Sequence, residues 1–237
     1  KGAAMKEIKN SMSLKAYIKN KAIEKKVPAQ LVMQNYMLER LLARISSSNY
    51  KNNFILKGGF LISAIVGIDS RTTMDLDGTI KGFNLSKESI NDIFNDICKI
   101  DLKDNISFKI LSLEDIRGKD DYPGVRVKLH ALYLPLKVPI SVDITTGDKI
   151  TPKEINYKFN SLFEDKQIEV LAYNLETILA EKLETILSRG IVNTRARDFY
   201  DVYMLYNLYK DKINYSYLKN AIISTTKKRN TFYILDD

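Results

Sequence analysis

Apolar side chains recur along this chain at two spacings, predicting alternating helical and extended segments. Over residues 12–26, Leu14, Ile18 and Ala22 stand four apart with lysines between them, a helical pattern with Lys19, Lys21, Lys25 and Lys26 outward. Pro28, well tolerated in a first turn, opens a second helix running to about Ile45. Leu31, Val32, Asn35, Leu38, Leu41, Leu42 and Ile45 share one side of it, and Ser46 to Asn49 end it. Both read as a helical buttress packed on a core. The run Phe54, Ile55, Leu56 then leads into Gly58-Gly59, an apolar helical segment from Phe60 to Val66 and a basic polar turn (Ser70, Arg71, Thr72, Thr73). Next, Asp75-Leu76-Asp77 reads as a strand. Ser86 is placed to cap a helix with Glu88 and Ser89 in its first turn and Ile90, Ile93, Phe94, Ile97 and Ile100 as its buried stripe.

The second half begins with alternation from Ile106 to Leu113, a strand, and a charged loop from Gly118 to Asp121. From Pro123 to Leu134, Val125, Val127, Leu129, Ala131 and Tyr133 occupy one face. His130 falls opposite, beside Arg126 and Lys128, and reads as a half-exposed strand residue without a catalytic role. Leu136 to Thr145 returns with Val138, Ile140, Val142 and Ile144 inward, so Asp143 lies on the other face. Lys149 to Lys166 reads as an irregular polar connection. Asn174 to Arg189 is strongly amphipathic, its stripe formed by Leu175, Ile178, Leu179, Leu183 and Ile186 with Lys182 near the middle. The next helix, about Thr194 to Tyr209, sets Val202, Leu205, Tyr206 and Tyr209 on one stripe that also carries Asp198.

Composition narrows the class. The chain has 237 residues, 45% of them hydrophobic, with no run approaching twenty apolar positions, which describes a globular protein without a membrane span. The Lys- and Asn-rich start has no apolar signal segment, so the cytoplasm is the expected compartment. Lys1 to Ala4, ahead of Met5, read as an appended leader. A single cysteine, Cys98, excludes an internal disulfide and any cysteine metal cluster, and reads as a small core residue. The net charge of +8 suits a polyanionic partner, and equally reflects a Lys- and Asn-rich composition.

Three placements carry candidate chemistry. Asp75 and Asp77 are two apart on a strand and point to the same side, where two carboxylates repel unless a cation lies between them; oxygen ligands of this kind suit Mg²⁺. The Gly58-Gly59 pair lets backbone approach a phosphate closely at a helix start. Together these predict a nucleoside triphosphate site with metal-assisted phosphoryl chemistry. Asp143, on a central strand, must be paired, solvated or metal-bound. Lys182 and Asp198, each on an apolar stripe, satisfy that rule by the lysine snorkelling to solvent, as an ion pair, or by binding phosphate or ribose.

The order strand, Gly-Gly, helix, basic turn, paired aspartates resembles the DNA polymerase β-type nucleotidyltransferase superfamily. More narrowly, LKGG followed by SRTTMDLD, then LAEKLETILSR and RARDFYDVYML, resembles the AbiEii/AbiGii family, the toxins of type IV toxin–antitoxin (abortive infection) systems. The match spans about Phe54 to Leu205. It implies an α+β fold: a polymerase β-like core with a small mixed sheet carrying Asp75, Asp77 and Asp143, N-terminal helices and a C-terminal helical lobe. The expected division is residues 5–165 and 166–237, with the nucleotide in the cleft that the lobe closes. Gly58, Gly59 and Thr73 would hold the triphosphate, and Asp75 and Asp77 would ligate Mg²⁺. Asp143 is the candidate third carboxylate, for metal or for the attacking hydroxyl. Lys182 would bind nucleotide phosphate, and Asp198 would be an essential carboxylate.

The implied reaction is transfer of a nucleoside monophosphate from an NTP to an acceptor hydroxyl. One Mg²⁺ would activate the nucleophile and a second would stabilise the leaving group. The resemblance further implies tRNA 3′ ends as acceptor, a growth-inhibiting toxin of phage defence and a cognate antitoxin. A protein-modifying enzyme of the same fold and a catalytically idle nucleotide- or RNA-binding module are the alternatives. Two positions depart from the family pattern. Phe60 replaces a small hydroxyl residue, and Gly78 stands where relatives often carry Phe, which is expected to loosen packing behind the aspartate strand.

Overall fold

The computed structural model describes residue 8, residues 10–116 and residues 124–235. The expected charged loop Gly118 to Asp121, the strand start at Pro123, the leader and the final Asp236-Asp237 fall outside them. The chain divides into two compact units: the described residues of 1–146 with 157–170, and those of 147–156 with 171–237.

The first unit opens with helix α1 (Ser11–Lys25), started by a reciprocal cap in which the Asn10 side chain accepts from the Ser13 N–H at 2.9 Å. Helix α2 (Ala29–Ser47) follows Pro28. The expected one-sided stripe of α2 is an underestimate, because Glu39, Arg40 and Arg44 on its other sides are also buried. They are tolerated because they are paired. Arg44 meets Asp104 through two hydrogen bonds of 3.0 and 2.7 Å and donates to the Ile106 carbonyl. Glu39 accepts from Arg40 and from the Leu162 N–H.

Next come β1 (Phe54–Lys57), α3 (Gly58–Val66), β2 (Asp75–Ile80), α4 (Lys87–Lys99), β3 (Ser107–Ile116), β4 (Gly124–Tyr133) and β5 (Leu136–Thr146). Ser86 caps α4 as expected, while Ile100 lies just beyond its end instead of on its stripe. Strands β6 (Ile155–Asn160) and β7 (Gln167–Ala172) complete a seven-stranded sheet of order β3-β4-β5-β2-β1-β7-β6. The sheet is mixed: β2 and β5 run parallel, whereas β1–β2, β3–β4 and β4–β5 are antiparallel. It is also larger than expected, because β6 falls in the segment read as irregular. Along β6 only Phe159 is buried, although Ile155, Tyr157 and Phe159 alternate with Asn156, Lys158 and Asn160, a strand period that the sequence carries over just six residues.

Leu56, Leu76, Val127, Leu129, Val142 and Ile144 form the centre of the core, all buried. His130 is half-exposed on the face opposite that core, as the alternation predicts. Cys98 is half-buried on α4. The expected looseness at Gly78 is not found. In the β1–β2 register Leu56 faces Gly78, and the ring of buried Phe54 covers the glycine, where an added Cβ would lie 2.4 Å from the ring. An aromatic side chain reaches this spot from the neighbouring strand.

The second unit contains α5 (Leu175–Arg189), α6 (Ala196–Tyr209) and α7 (Tyr215–Lys228). Asn174 caps α5 by accepting from the Thr177 N–H at 2.7 Å, and its amide donates to the carbonyls of Thr151 and Lys153. The buried face of α5 is more polar than its apolar stripe suggests. Glu176 accepts from the Asn214 N–H and Glu184 accepts from Arg229 and Thr231, while Leu183 and Ile186 are only half-buried. On α6, Leu205 is buried but Tyr206 is exposed, so the inward face is turned from the one read out of the sequence. Helix α7 carries no pattern that the reading singled out. No helix among the described residues is long and apolar enough to cross a membrane.

Gly78→Ala should lower stability by about 1–3 kcal/mol through overpacking against Phe54. Thermal unfolding measures this, and Phe54→Leu in the same chain should recover part of the loss.

Candidate active site

Strand alternation puts Asp75 and Asp77 on one side of β2, with buried Leu76 on the other. The parallel register with β5 sets Asp77 beside Asp143 and Asp75 beside Ser141. The Ser141 hydroxyl donates to Asp75 Oδ1. At the start of α3, the Gly59 N–H donates to Asp77 Oδ2 at 3.1 Å. The two glycines are therefore in place because of the aspartate strand. Gly58 has φ +65°, and a Cβ there would sit 2.2 Å from Asp77 Oδ2. At Gly59 a Cβ would meet the Thr73 hydroxyl at 2.9 Å. Asn35, from α2, ties down the loop between α3 and β2 by donating to the Thr73 carbonyl at 2.9 Å.

Asp77 bears the electrostatic strain of this grouping. Burial, then the neighbouring Asp143 carboxylate, raises its pKa from 3.8 to about 6, against the opposing pull of Lys57 and the Gly59 N–H. Asp143 has a partner the sequence reading did not assign. Arg126 of β4, opposite it in register, grips both its oxygens at 2.7 Å through Nε and Nη2. Those hydrogen bonds push the Arg126 pKa further up.

Among the described residues no three carboxylate, histidine or cysteine side chains form a group able to hold a metal by themselves. Asp75 and Asp77 instead offer a pair of half-buried carboxylates, with the Asp143 carboxylate beside Asp77. This fits a hard dication that takes one or two protein carboxylates and completes its shell with substrate phosphate oxygens and water.

The second unit holds a separate charged cluster. Lys182 on α5 lies 2.7 Å from Asp198 and 2.9 Å from Asp201 of α6, and both aspartates are fully buried. Arg195 adds a contact of 2.7 Å to Asp198. The ion pair open at the sequence level is thus formed, and joined by Asp201. Three-residue spacing sets Asp198 and Asp201 on the same helix face, a signal visible in the sequence but not used.

The family model described as nucleotidyl transferase AbiEii toxin, type IV TA system, matches residues 40–237. The chain belongs to the AbiEii nucleotidyltransferase toxin family. Among solved structures, this AbiEii chain is similar to a candidate nucleotidyltransferase from H. pylori, with TM-score 0.52, 15% identity, and 89% of this chain and 84% of that one covered. It is also similar to JHP933 from Helicobacter pylori, with TM-score 0.51, 15% identity, and coverage of 88% and 81%. At such identity these likenesses concern the fold. No curated protein matches the chain.

Of the residues expected to act, the AbiEii fold brings Gly58, Gly59, Thr73, Asp75, Asp77 and Asp143 together in the first unit, and Lys182 with Asp198 in the second. Phe60, the departure after the glycines, is buried and stacks on Phe159 with centroids 5.3 Å apart, so it serves the core behind α3. Arg126 and Ser141 were missed. Each looks like an ordinary polar position on an alternating strand, and only the register reveals its partner.

Because the folded protein binds the Asp77 proton more tightly than the unfolded chain, stability should fall as pH rises from 3.8 to about 6 and stay lowered above that. Asp77→Asn should accordingly be the more stable protein at pH 7, by up to about 3 kcal/mol, with the advantage gone below pH 4. Thermal unfolding across pH checks this. Mg²⁺ should raise the midpoint of the parent protein at pH 7 but leave Asp77→Asn unmoved.

Proposed function

We propose that this AbiEii-family nucleotidyltransferase transfers a nucleoside monophosphate from an NTP to a tRNA 3′ hydroxyl, inhibiting translation and growth until a cognate antitoxin relieves it. The observation that carries the reading is the convergence of Asp75 and Asp77 with the Gly58-Gly59 helix start, joined by the Gly59 N–H to Asp77. Phosphoryl transfer asks a protein mainly for positioning and charge compensation, and this corner supplies backbone N–H groups, a hydroxyl and oxygen ligands in one place.

In this reading Gly58 and Gly59 let the triphosphate approach the first turn of α3, and Thr73, whose hydroxyl faces Gly59, lines it. Asp75 and Asp77 would hold Mg²⁺, which when bound supplies charge neutralisation for the leaving pyrophosphate and polarises the attacked phosphorus. Ser141 orients Asp75, and Asp143 stands beside Asp77 as the third carboxylate. Lys182 contributes the phosphate contact and Asp198 the further carboxylate. The acceptor is argued from the net charge of +8, which suits an RNA, and from the family's character as a toxin. The cytoplasm is the compartment where tRNA and NTP meet.

The test is incubation of purified protein with total tRNA, Mg²⁺ and each α-labelled NTP in turn. Label should appear on tRNA with a particular NTP and fall on the order of a hundredfold or more in Asp75→Ala, the scale of removing a transition-state electrostatic contact. Lys182→Ala should also lose it, while Lys182→Arg, which keeps a cation between Asp198 and Asp201, separates loss of chemistry from loss of folding. Label on polypeptide instead of RNA would move the acceptor to protein. No label from any NTP, with folded protein, would overturn transfer in favour of a binding module.

A further inference from the structure

Arg126 changes what the carboxylate corner can hold. Two-cation phosphoryl-transfer sites need carboxylates enough to ligate and bridge both ions. Here the third carboxylate is already engaged: Asp143 Oδ1 and Oδ2 each accept from Arg126 at 2.7 Å, in the side-on geometry in which a planar guanidinium matches a carboxylate edge. The pairing is built into the sheet, since Arg126 and Asp143 are register partners across β4 and β5. The competing acid is taken up elsewhere, because Glu114, opposite Arg126 on β3, binds Lys128 at 2.6 Å. Arg126 is therefore directed at Asp143 alone among the acids facing it across β3 and β5.

We propose that the protein carboxylates of this site bind a single divalent cation, on Asp75 and Asp77, and that Arg126 is a positioning residue standing as a fixed positive charge where a second cation would otherwise be held on Asp143. The proposal rests on the assignment of Asp75 and Asp77 as the metal pair. Arg126 keeps Asp143 from collapsing onto the ion beside Asp77, and it presents a permanent cation that needs no free metal. Substituting it should therefore unmask a site and not merely weaken one, which a purely structural ion pair would never do.

The experiment counts Mn²⁺ bound per chain to the nucleotide-free protein at pH 7.5, from the loss of the free-ion electron paramagnetic resonance signal. The parent protein should bind one Mn²⁺, Asp77→Asn none, and Arg126→Gln two, with Arg126→Lys returning to one. Circular dichroism confirms folding of each variant, and Arg126→Met, which should likewise bind two Mn²⁺, covers the case in which Arg126→Gln does not fold. Two Mn²⁺ on the parent chain, or one with unchanged affinity on folded Arg126→Gln, would overturn the proposal while leaving the metal pair intact. No Mn²⁺ on the parent, or one retained by Asp77→Asn, would instead overturn the assignment of the metal pair on which it rests.

Discussion

The candidate chemistry of the first unit depends on the parallel pairing of β2 with β5. That register sets Asp77 against Asp143 and Asp75 against Ser141, concentrating acid on one face of a sheet whose other face is sealed by Leu76, Val142 and Ile144. Parallel neighbours need a long crossover, and here α4, β3 and β4 supply it. The crossover is thereby the source of Arg126, the cation that makes the acid tolerable. The connection that permits the carboxylate cluster also delivers its counter-charge.

A second dependence runs through the glycines. The α3 start approaches β2 so closely that Asp77 Oδ2 occupies the space a side chain at position 58 would need. This is close backbone approach of the kind a phosphate also requires, used here by a carboxylate accepting from the Gly59 N–H. Carboxylate and phosphate are chemically alike as acceptors, so the same N–H group suits either. Asn35, buried on α2, fixes the far end of the same loop at Thr73. A position that the helical pattern counts as one more residue of an apolar stripe is in fact the tether of the site.

How much of this was legible in the sequence follows from what kind of information each feature needs. Helix starts with strong caps were readable, as Ser86 shows, because the signal lies within four residues. Alternation in β4 and β5 was readable because one face is fully buried. Strand β6 was not, even though Ile155, Tyr157 and Phe159 alternate with polar residues, because that period lasts only six residues inside a polar connection. The buried charges of α2 were invisible for the opposite reason: Glu39, Arg40 and Arg44 look like solvent-facing positions until Asp104 and the Leu162 N–H are seen beside them. The candidate site residues announced themselves through spacing, as in Asp75 and Asp77, whereas their modifiers, Arg126 and Ser141, are defined only by cross-strand register.

The Lys182 cluster shows the same limit from the energetic side. A lysine centred on an apolar stripe signals that an anion must be near, but not which one. The fold answers with two fully buried aspartates and one lysine, an excess of acid over that base that Arg195 offsets at the rim. Buried ionic groups cost desolvation that an apolar replacement would avoid, so such a cluster is poor economy if stability is its sole purpose. Its geometry has a different merit. An ammonium from α5 held by two carboxylates of α6 at 2.7 and 2.9 Å is fixed in position between the two helices. That fixed position, more than the strength of any one ion pair, is what burying Lys182 between the two aspartates provides.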